Sequence, residues 1–351
     1  MYDLDLKKYH DLSNELILRK LCLPVETSDG PTPILFGLLN DVLLQCHEQR
    51  KLLLPNFHDT ETVAVFSDYG GETNSKYFTY SFVFADYTHL KPFQVAMNAI
   101  RQHHKLDNPN KEIAFKSLRY APVRNCIDDY LTAINNFVNG LVFTLIVSKD
   151  VVSLSGPNNK QTNEVLADSL ETNGFGEWKP KIAEKMNRVT QVIAYWCWLL
   201  IEDGKKVFWM TDADAIVANP EKANQCVRLL QNWINSCKEP KEYSVFGYSP
   251  KPFDGDYESG FIDLLSLSDM ISGSLDHFYK QYYTPSPQIN PSAEKVLSWL
   301  ILQGVGMKKI NVEIKMDGAN FVAVLVEFSE KTPSPNRLYF DYAYDVTINH
   351  G

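Results

Sequence analysis

The chain has 351 residues, 44% hydrophobic and 22% charged, a composition that excludes a disordered or fibrous protein and suits a soluble globular one with a sizeable core. Its net charge of −9 excludes a surface coated in positive charge for indiscriminate nucleic-acid binding, but leaves room for a local basic groove beside an acidic centre. No run of about 18 apolar residues occurs, so no membrane span is expected. The polar start MYDLDLKKYHDLSNE lacks a secretory stretch, and six scattered cysteines lack zinc or Cys-x-x-Cys spacing; free thiols in a reducing, cytoplasmic setting are expected.

Residues 1–60 read as a mainly helical N-terminal extension, with PILFGLLNDVLLQCHEQRKLLL at helical spacing and Pro55 as its stop. ETVAVFSD and KYFTYSFVFADY then read as strands around the turn GGETNS. HLKPFQVAMNAIRQHHKL is expected to be helical, KEIAFKSL short and extended, and APVRNCIDDYLTAINNFVNG a helix opened by proline and closed by glycine. LVFTLIVSKD is a nearly unbroken apolar run, the mark of a strand buried on both faces. Residues 151–178, rich in Asn, Ser and Gly, are expected to be a loop insertion. A long helix (KIAEKMNRVTQVIAYWCWLLIED), a strand ending on acids (GKKVFWMTDAD), a helix opened by Asn-Pro-Glu, the short strand EYSVFGYS and the helix GFIDLLSLSDMISGSLDHFYKQYY follow. Residues 283–351 read as a C-terminal extension of one helix, a hairpin around DGAN and a further strand in NRLYFDYAYD. This order predicts an α/β fold with a mixed sheet flanked by helices, its core spanning residues 61–282.

Four carboxylate positions stand out. Asp68 ends the first strand, Glu112 lies in the extended segment, Asp212 ends VFWMTD with Asp214 two residues on, and Asp269 lies inside an apolar helix. A carboxylate on such a helix either faces solvent or is held toward a charged partner, because burying an unpaired charge is expensive. Ser266, Ser268, Ser272 and Gly273 are within about a turn of it, and small side chains let a helix approach a sheet closely. Carboxylates that converge repel one another unless a cation neutralises them. A cluster of this kind therefore calls for Mg²⁺ or Mn²⁺, which prefer oxygen ligands; two ions about 3.5–4 Å apart can serve phosphodiester hydrolysis. Singly, each acid has a plainer role: Asp68 a turn cap, Asp212 an N-cap, Glu112 a solvated strand residue, Asp269 an exposed helix face. Their shared order along an α/β chain is the stronger signal.

That order resembles the ribonuclease H-like superfamily, whose carboxylates come from the first strand, a following segment, a central strand and a late helix. Three stretches, FSDYGGETNSKYFTYSFVFADY, EIAFKSLRYAPVRNCIDDYLTAINNFVNGLVFTLIVSKD and ESGFIDLLSLSDMISGSLDHFY, resemble the bacterial and phage family called domain of unknown function 3800. The likeness covers roughly residues 60–282. It implies the ribonuclease H-like fold, a nuclease role, and Asp68, Glu112, Asp212 (or Asp214) and Asp269 as metal-site acids. The chain departs from the family pattern at Asp68-Tyr69-Gly70-Gly71, where Asp-Glu-Ser-Gly is usual, although Glu72 lies nearby. It departs again at Lys116, a basic residue four positions after Glu112, and at Ser268-Asp269, where Ala-Asp is usual.

The leading expectation is thus a Mg²⁺- or Mn²⁺-dependent nuclease acting on DNA or RNA, of a kind that would suit a phage-defence or toxin effector. Lys116, Arg119 and Arg124 would contact substrate phosphates, or else form a solvated face or pair with Asp128 and Asp129. The alternative keeps the fold without the chemistry, as a scaffold or sensor that binds nucleic acid or protein. The terminal extensions are expected to bind a protein partner or to self-associate. SDYGGET also resembles the phosphate-gripping turn of actin-like and sugar-kinase ATPases, but the only second turn on offer, MDGAN, falls in an expected hairpin. His103, His104 and His277 lack partners at ligand spacing, and YWCWLL reads as core rather than a stacking platform.

Overall fold

The computed structural model describes residues 32–106, 108, 112–237, 239–250, 260–282, 290–301, 303–330 and 340–343. They form two compact units, neither continuous in sequence: the described parts of 1–61, 152–206 and 213–246, and those of 62–151, 207–212 and 247–351. The C-terminal hairpin, read from sequence as an extension, therefore falls in the same unit as the first strands.

The first unit is helical. Helix α1 (Ile34–Glu48) turns its apolar side inward and sets Phe36 edge-on to Tyr195, ring centroids 5.6 Å apart. The YWCWLL stripe is core, as its spacing implied: Tyr195 and Trp196 are fully buried. The expected loop at 151–178 is corrected, because it contains a helix at Lys160–Thr172. Asn159 caps that helix by accepting from the Thr162 amide at 2.9 Å. Only Asn163, Ala167 and Leu170 on it are buried, a face too polar to register as a hydrophobic stripe. A long helix at Pro180–Leu200 and another at Pro220–Ser236 complete the unit, the latter capped by Asn219 with Pro220 in its first turn.

The second unit is built on a mixed sheet of seven strands in the order β5-β4-β1-β2-β3-β6-β7. The strands are β1 Thr62–Gly70, β2 Tyr77–Asp86, β3 Gly140–Ser148, β4 Lys206–Thr211, β5 Val245–Pro250, β6 Met307–Asp317 and β7 Asn320–Leu325. β1–β2, β2–β3 and β6–β7 pair antiparallel, and β3–β6 parallel. β4 runs with β1, since Lys206 N bonds Glu61 O and, six residues on along each strand, Asp212 N bonds Ser67 O. All nine residues of β3 are buried, which is why that run is almost wholly apolar. Gly71 makes the β1–β2 turn possible. It sits at φ +82°, and a Cβ there would fall 2.1 Å from Tyr77 O. A separate ribbon pairs β8 (Glu327–Glu330) with β9 (Phe340–Ala343).

In chain order over the described residues, the helices are α1, α2 Lys91–His103, α3 Ala121–Phe137, α4 Lys160–Thr172, α5 Pro180–Leu200, α6 Pro220–Ser236, α7 Phe261–Tyr282 and α8 Pro291–Ile301. Ala64, Phe66, Val83, Ala85, Val142 and Ile146 present one sheet face to α2, α3, α7 and α8. The segment KEIAFKSL, expected to be extended, instead holds a 3-10 turn at Phe115–Arg119. No helix among the described residues is long and apolar enough to cross a membrane.

Candidate metal centre

Strand alternation puts Asp68 on the same sheet face as Ala64 and Phe66, under α7. β1 and β4 run together, so Asp68 near the end of one and Asp212 just past the end of the other lie at the same edge, outside the carboxyl ends where α/β sheets hold ligands. From α7, Ser272 Oγ donates to Asp68 Oδ2, and its backbone carbonyl accepts from Thr79 Oγ1 at 3.2 Å. Gly70 keeps this seam narrow: a Cβ there would lie 2.7 Å from Thr79 Oγ1 and 3.4 Å from Ser272 O.

Asp269 is partly exposed in the middle of a largely buried helix. Its Oδ2 accepts from the Phe115 amide at 2.5 Å, and one turn earlier Ser266 Oγ accepts from the Ile113 amide at 3.0 Å. Gly273 lets this segment come close, because a Cβ there would meet Phe115 Cγ at 2.5 Å. The small residues of LLSLSDMISGS thus serve two approaches at once: Ser272 toward the sheet, Ser266 and Gly273 toward residues 113–115.

Burial pushes the Asp68 carboxyl up to about 7, and the negative charge of Asp269 adds to it. The Ser272 hydrogen bond works against them, and Asp212 raises it a little further. Asp68 therefore faces the negative charges of both Asp269 and Asp212. Ser81 stands directly opposite Asp68 on β2. Its hydroxyl is fully buried and finds no hydrogen-bond partner among the described residues. Next in this row, Thr144 Oγ1 donates to Asn311 Oδ1 at 2.8 Å.

The other expected acids have further surroundings of their own. Glu112 lines a cavity of about 260 Å³ with Arg101, Lys105, Ser117, Tyr120 and Val123. Beside it, the buried Asp263 accepts from Arg101 Nε at 3.1 Å. Asp214 caps the turn Ala215–Val217 and pairs with Lys185 Nζ at 2.6 Å. Among the described residues, no group of three or more His, Cys, Asp or Glu side chains stands close enough to hold a metal ion as it is.

Lys116, Arg119 and Arg124 are exposed, and the Arg119 guanidinium lies 4.9 Å over the Tyr120 ring. Asp128 and Asp129 pair with Lys295 and His104. His277 Nε2 accepts from the Asn290 amide. MDGAN is a hairpin turn, with Gly318 at φ +60°. Cys46, Cys126, Cys197, Cys226 and Cys237 are buried free thiols; Cys22 lies outside the described residues.

No family model, curated protein or solved structure gives a significant match. The site has to be judged on its own geometry, and there Tyr69 is informative. It follows Asp68 on β1, so its side chain points to the opposite sheet face. An acid at position 69 would not reach the Asp68 face, and Glu72 is exposed on the turn. Sequence reading marked Ser272 only as a small side chain, and missed Ser81 and the Phe115 amide. The one available signal was the Asp-x-x-Ser spacing of Asp269 and Ser272, which puts both on one side of a helix.

Proposed function

We propose that this chain is a Mg²⁺- or Mn²⁺-dependent nuclease of ribonuclease H-like fold, akin to the domain of unknown function 3800 family, hydrolysing phosphodiester bonds of DNA or RNA in the cytoplasm. The observation that carries the reading is the facing of like charges at Asp68: burial pushes its carboxyl up to about 7, and the negative charges of Asp269 and Asp212 add to that rise. One acid comes from the first strand, one follows the strand beside it, and one sits on a late helix. Carboxylate oxygens are the donors these ions prefer. A cation is the group that would relieve the repulsion and restore Asp68 to its ionised form. The unpartnered Ser81 hydroxyl beside Asp68 also suits a site completed by something polar.

Asp68, Asp212 and Asp269 would hold the ion, which when bound supplies positive charge to a phosphoryl oxygen and a more acidic water. Ser272 orients Asp68, and the Phe115 amide orients Asp269. Lys116, Arg119 and Arg124 are the candidate phosphate contacts. A second reading, a scaffold that binds nucleic acid or a protein without cutting, is favoured by the lack of a closed three-ligand group among the described residues and by the placement of Glu112 on another cavity.

The test uses the wild type and the Asp68→Ala/Asp269→Ala double variant, each with single- and double-stranded DNA and RNA in Mg²⁺, Mn²⁺ or EDTA. Metal-dependent cutting that the double variant lacks is the expected result. Without cutting, Mn²⁺ calorimetry decides: binding lost in the variant keeps the site, and no binding leaves the scaffold.

A further inference from the structure

On the sheet face opposite Asp68, four side chains tie the end of β4 to β1. Trp209 Nε1 donates to Ser67 Oγ at 3.0 Å. Ser67 Oγ and Tyr69 OH are 2.8 Å apart, and Tyr69 OH and Thr211 Oγ1 are 3.2 Å apart. Thr211 Oγ1 donates to the Ser67 carbonyl at 3.1 Å. Thr211 Oγ1 faces both the Ser67 carbonyl and Tyr69 OH as a donor, Tyr69 and Ser67 share one hydrogen bond, and Ser67 accepts from Trp209, whose indole nitrogen can only donate. Ser67, Trp209 and Thr211 are fully buried, where a completed polar network is rigid and a broken one costly.

The position of this network matters because β4 stops at Thr211. Just past the strand, the Asp212 amide donates to Ser67 O, and at 3.3 Å this bond is long. Thr211 grips the same carbonyl from its side chain. The Tyr69 ring is wedged against Tyr80 and Phe82, with centroids 5.8 and 6.3 Å away, so its hydroxyl is a fixed anchor for Thr211. We propose that Tyr69, acting through Thr211, is a positioning residue that sets Asp212 against Asp68 from the back of the sheet. Its link to metal binding rests on the reading proposed above; the lock itself does not.

The experiment separates the two. In metal-free protein, amide exchange at Asp212 is compared with that of β3 as an internal reference, in wild type, Tyr69→Phe, Thr211→Val and Thr211→Ser. Tyr69→Phe keeps the ring and Thr211→Ser keeps the hydroxyl. Exchange at Asp212 is expected to be about tenfold faster in Tyr69→Phe and Thr211→Val, the scale of one ordinary hydrogen bond. It should remain at the wild-type rate in Thr211→Ser, with β3 unchanged throughout. Mn²⁺ affinity by calorimetry should weaken in the same two variants and be kept by Thr211→Ser. Unchanged Asp212 exchange in both Tyr69→Phe and Thr211→Val overturns the lock, as does a Thr211→Ser variant that behaves like Thr211→Val. A wild type that binds no Mn²⁺ defeats the metal reading alone, and the exchange pattern still decides the lock.

Discussion

Helices α5 and α7 both bury charge, and they treat it in opposite ways. On α5, Glu184 accepts from Leu154 N at 2.7 Å, Ser155 Oγ at 2.8 Å, Ser153 Oγ at 3.2 Å and Arg188 Nε at 2.8 Å, while Lys185 pairs with Asp214. Every one of these charges meets its opposite. On α7, Asp263 is matched in the same way by Arg101, but two turns on Asp269 acts on Asp68, and Asp212 adds a third negative charge. Burial alone therefore does not mark a functional acid. The sign of the charge that faces it does, because a matched pair is complete and a set of like charges calls for a further ion.

The matched side of this contrast should break hardest. Glu184→Ala strands the buried Arg188 and removes the acceptor of three other groups, and is expected to destabilise by about 3–5 kcal/mol, measured by chemical denaturation. Next comes Gly273→Ala. Its new methyl would overlap the Phe115 ring, and overpacking of this kind costs roughly 1–3 kcal/mol. Because Phe115 also carries the amide that holds Asp269, the same variant should lower Mn²⁺ affinity. A loss of stability with unchanged affinity would show that the segment does not orient Asp269.

Much of this fold can be read from residue order. β3 is legible as a nearly unbroken apolar run, α6 by Asn219-Pro220, and the β1–β2 turn by its paired glycines. α4 is not legible, because so little of it is buried apolar surface. At the site, Asp68, Asp212 and Asp269 were marked by acids ending strands or interrupting an apolar helix. What separates Asp212 from Asp214 is a tertiary event, the Lys185 pair. Next to Glu112, the 3-10 turn brings the Phe115 amide to Asp269, a contact that residue order does not reveal.

The unmatched side should respond to pH with a definite sign. An aspartate raised from 3.8 to about 7 keeps its proton in the folded state while the unfolded chain gives its proton up. Metal-free wild type should therefore lose stability as pH rises between those values. Asp68→Asn should differ from wild type by less than about 1 kcal/mol in acid, the scale of one hydrogen bond. It should lack that decline and be the more stable protein above pH 7. Saturating Mn²⁺ should flatten the wild-type curve as well. A decline that survives in Asp68→Asn would place its source elsewhere.

The smallest stability effect is expected at Lys116, Arg119 and Arg124, which are exposed. Replacing each by Ala should change stability by no more than about 0.5 kcal/mol. Binding to a single strand is the sharper measure, since each phosphate contact contributes about −0.7 to the slope of log affinity against log salt. If all three touch the substrate, the triple variant should lose about 2 from that slope while its Mn²⁺ affinity stays at the wild-type value. Weaker cutting with an unchanged slope would remove these residues from the substrate path. The phosphate contacts would then have to be sought nearer the sheet edge, where Lys149 donates to Glu72 O at 3.1 Å and its own charge is disfavoured first by burial.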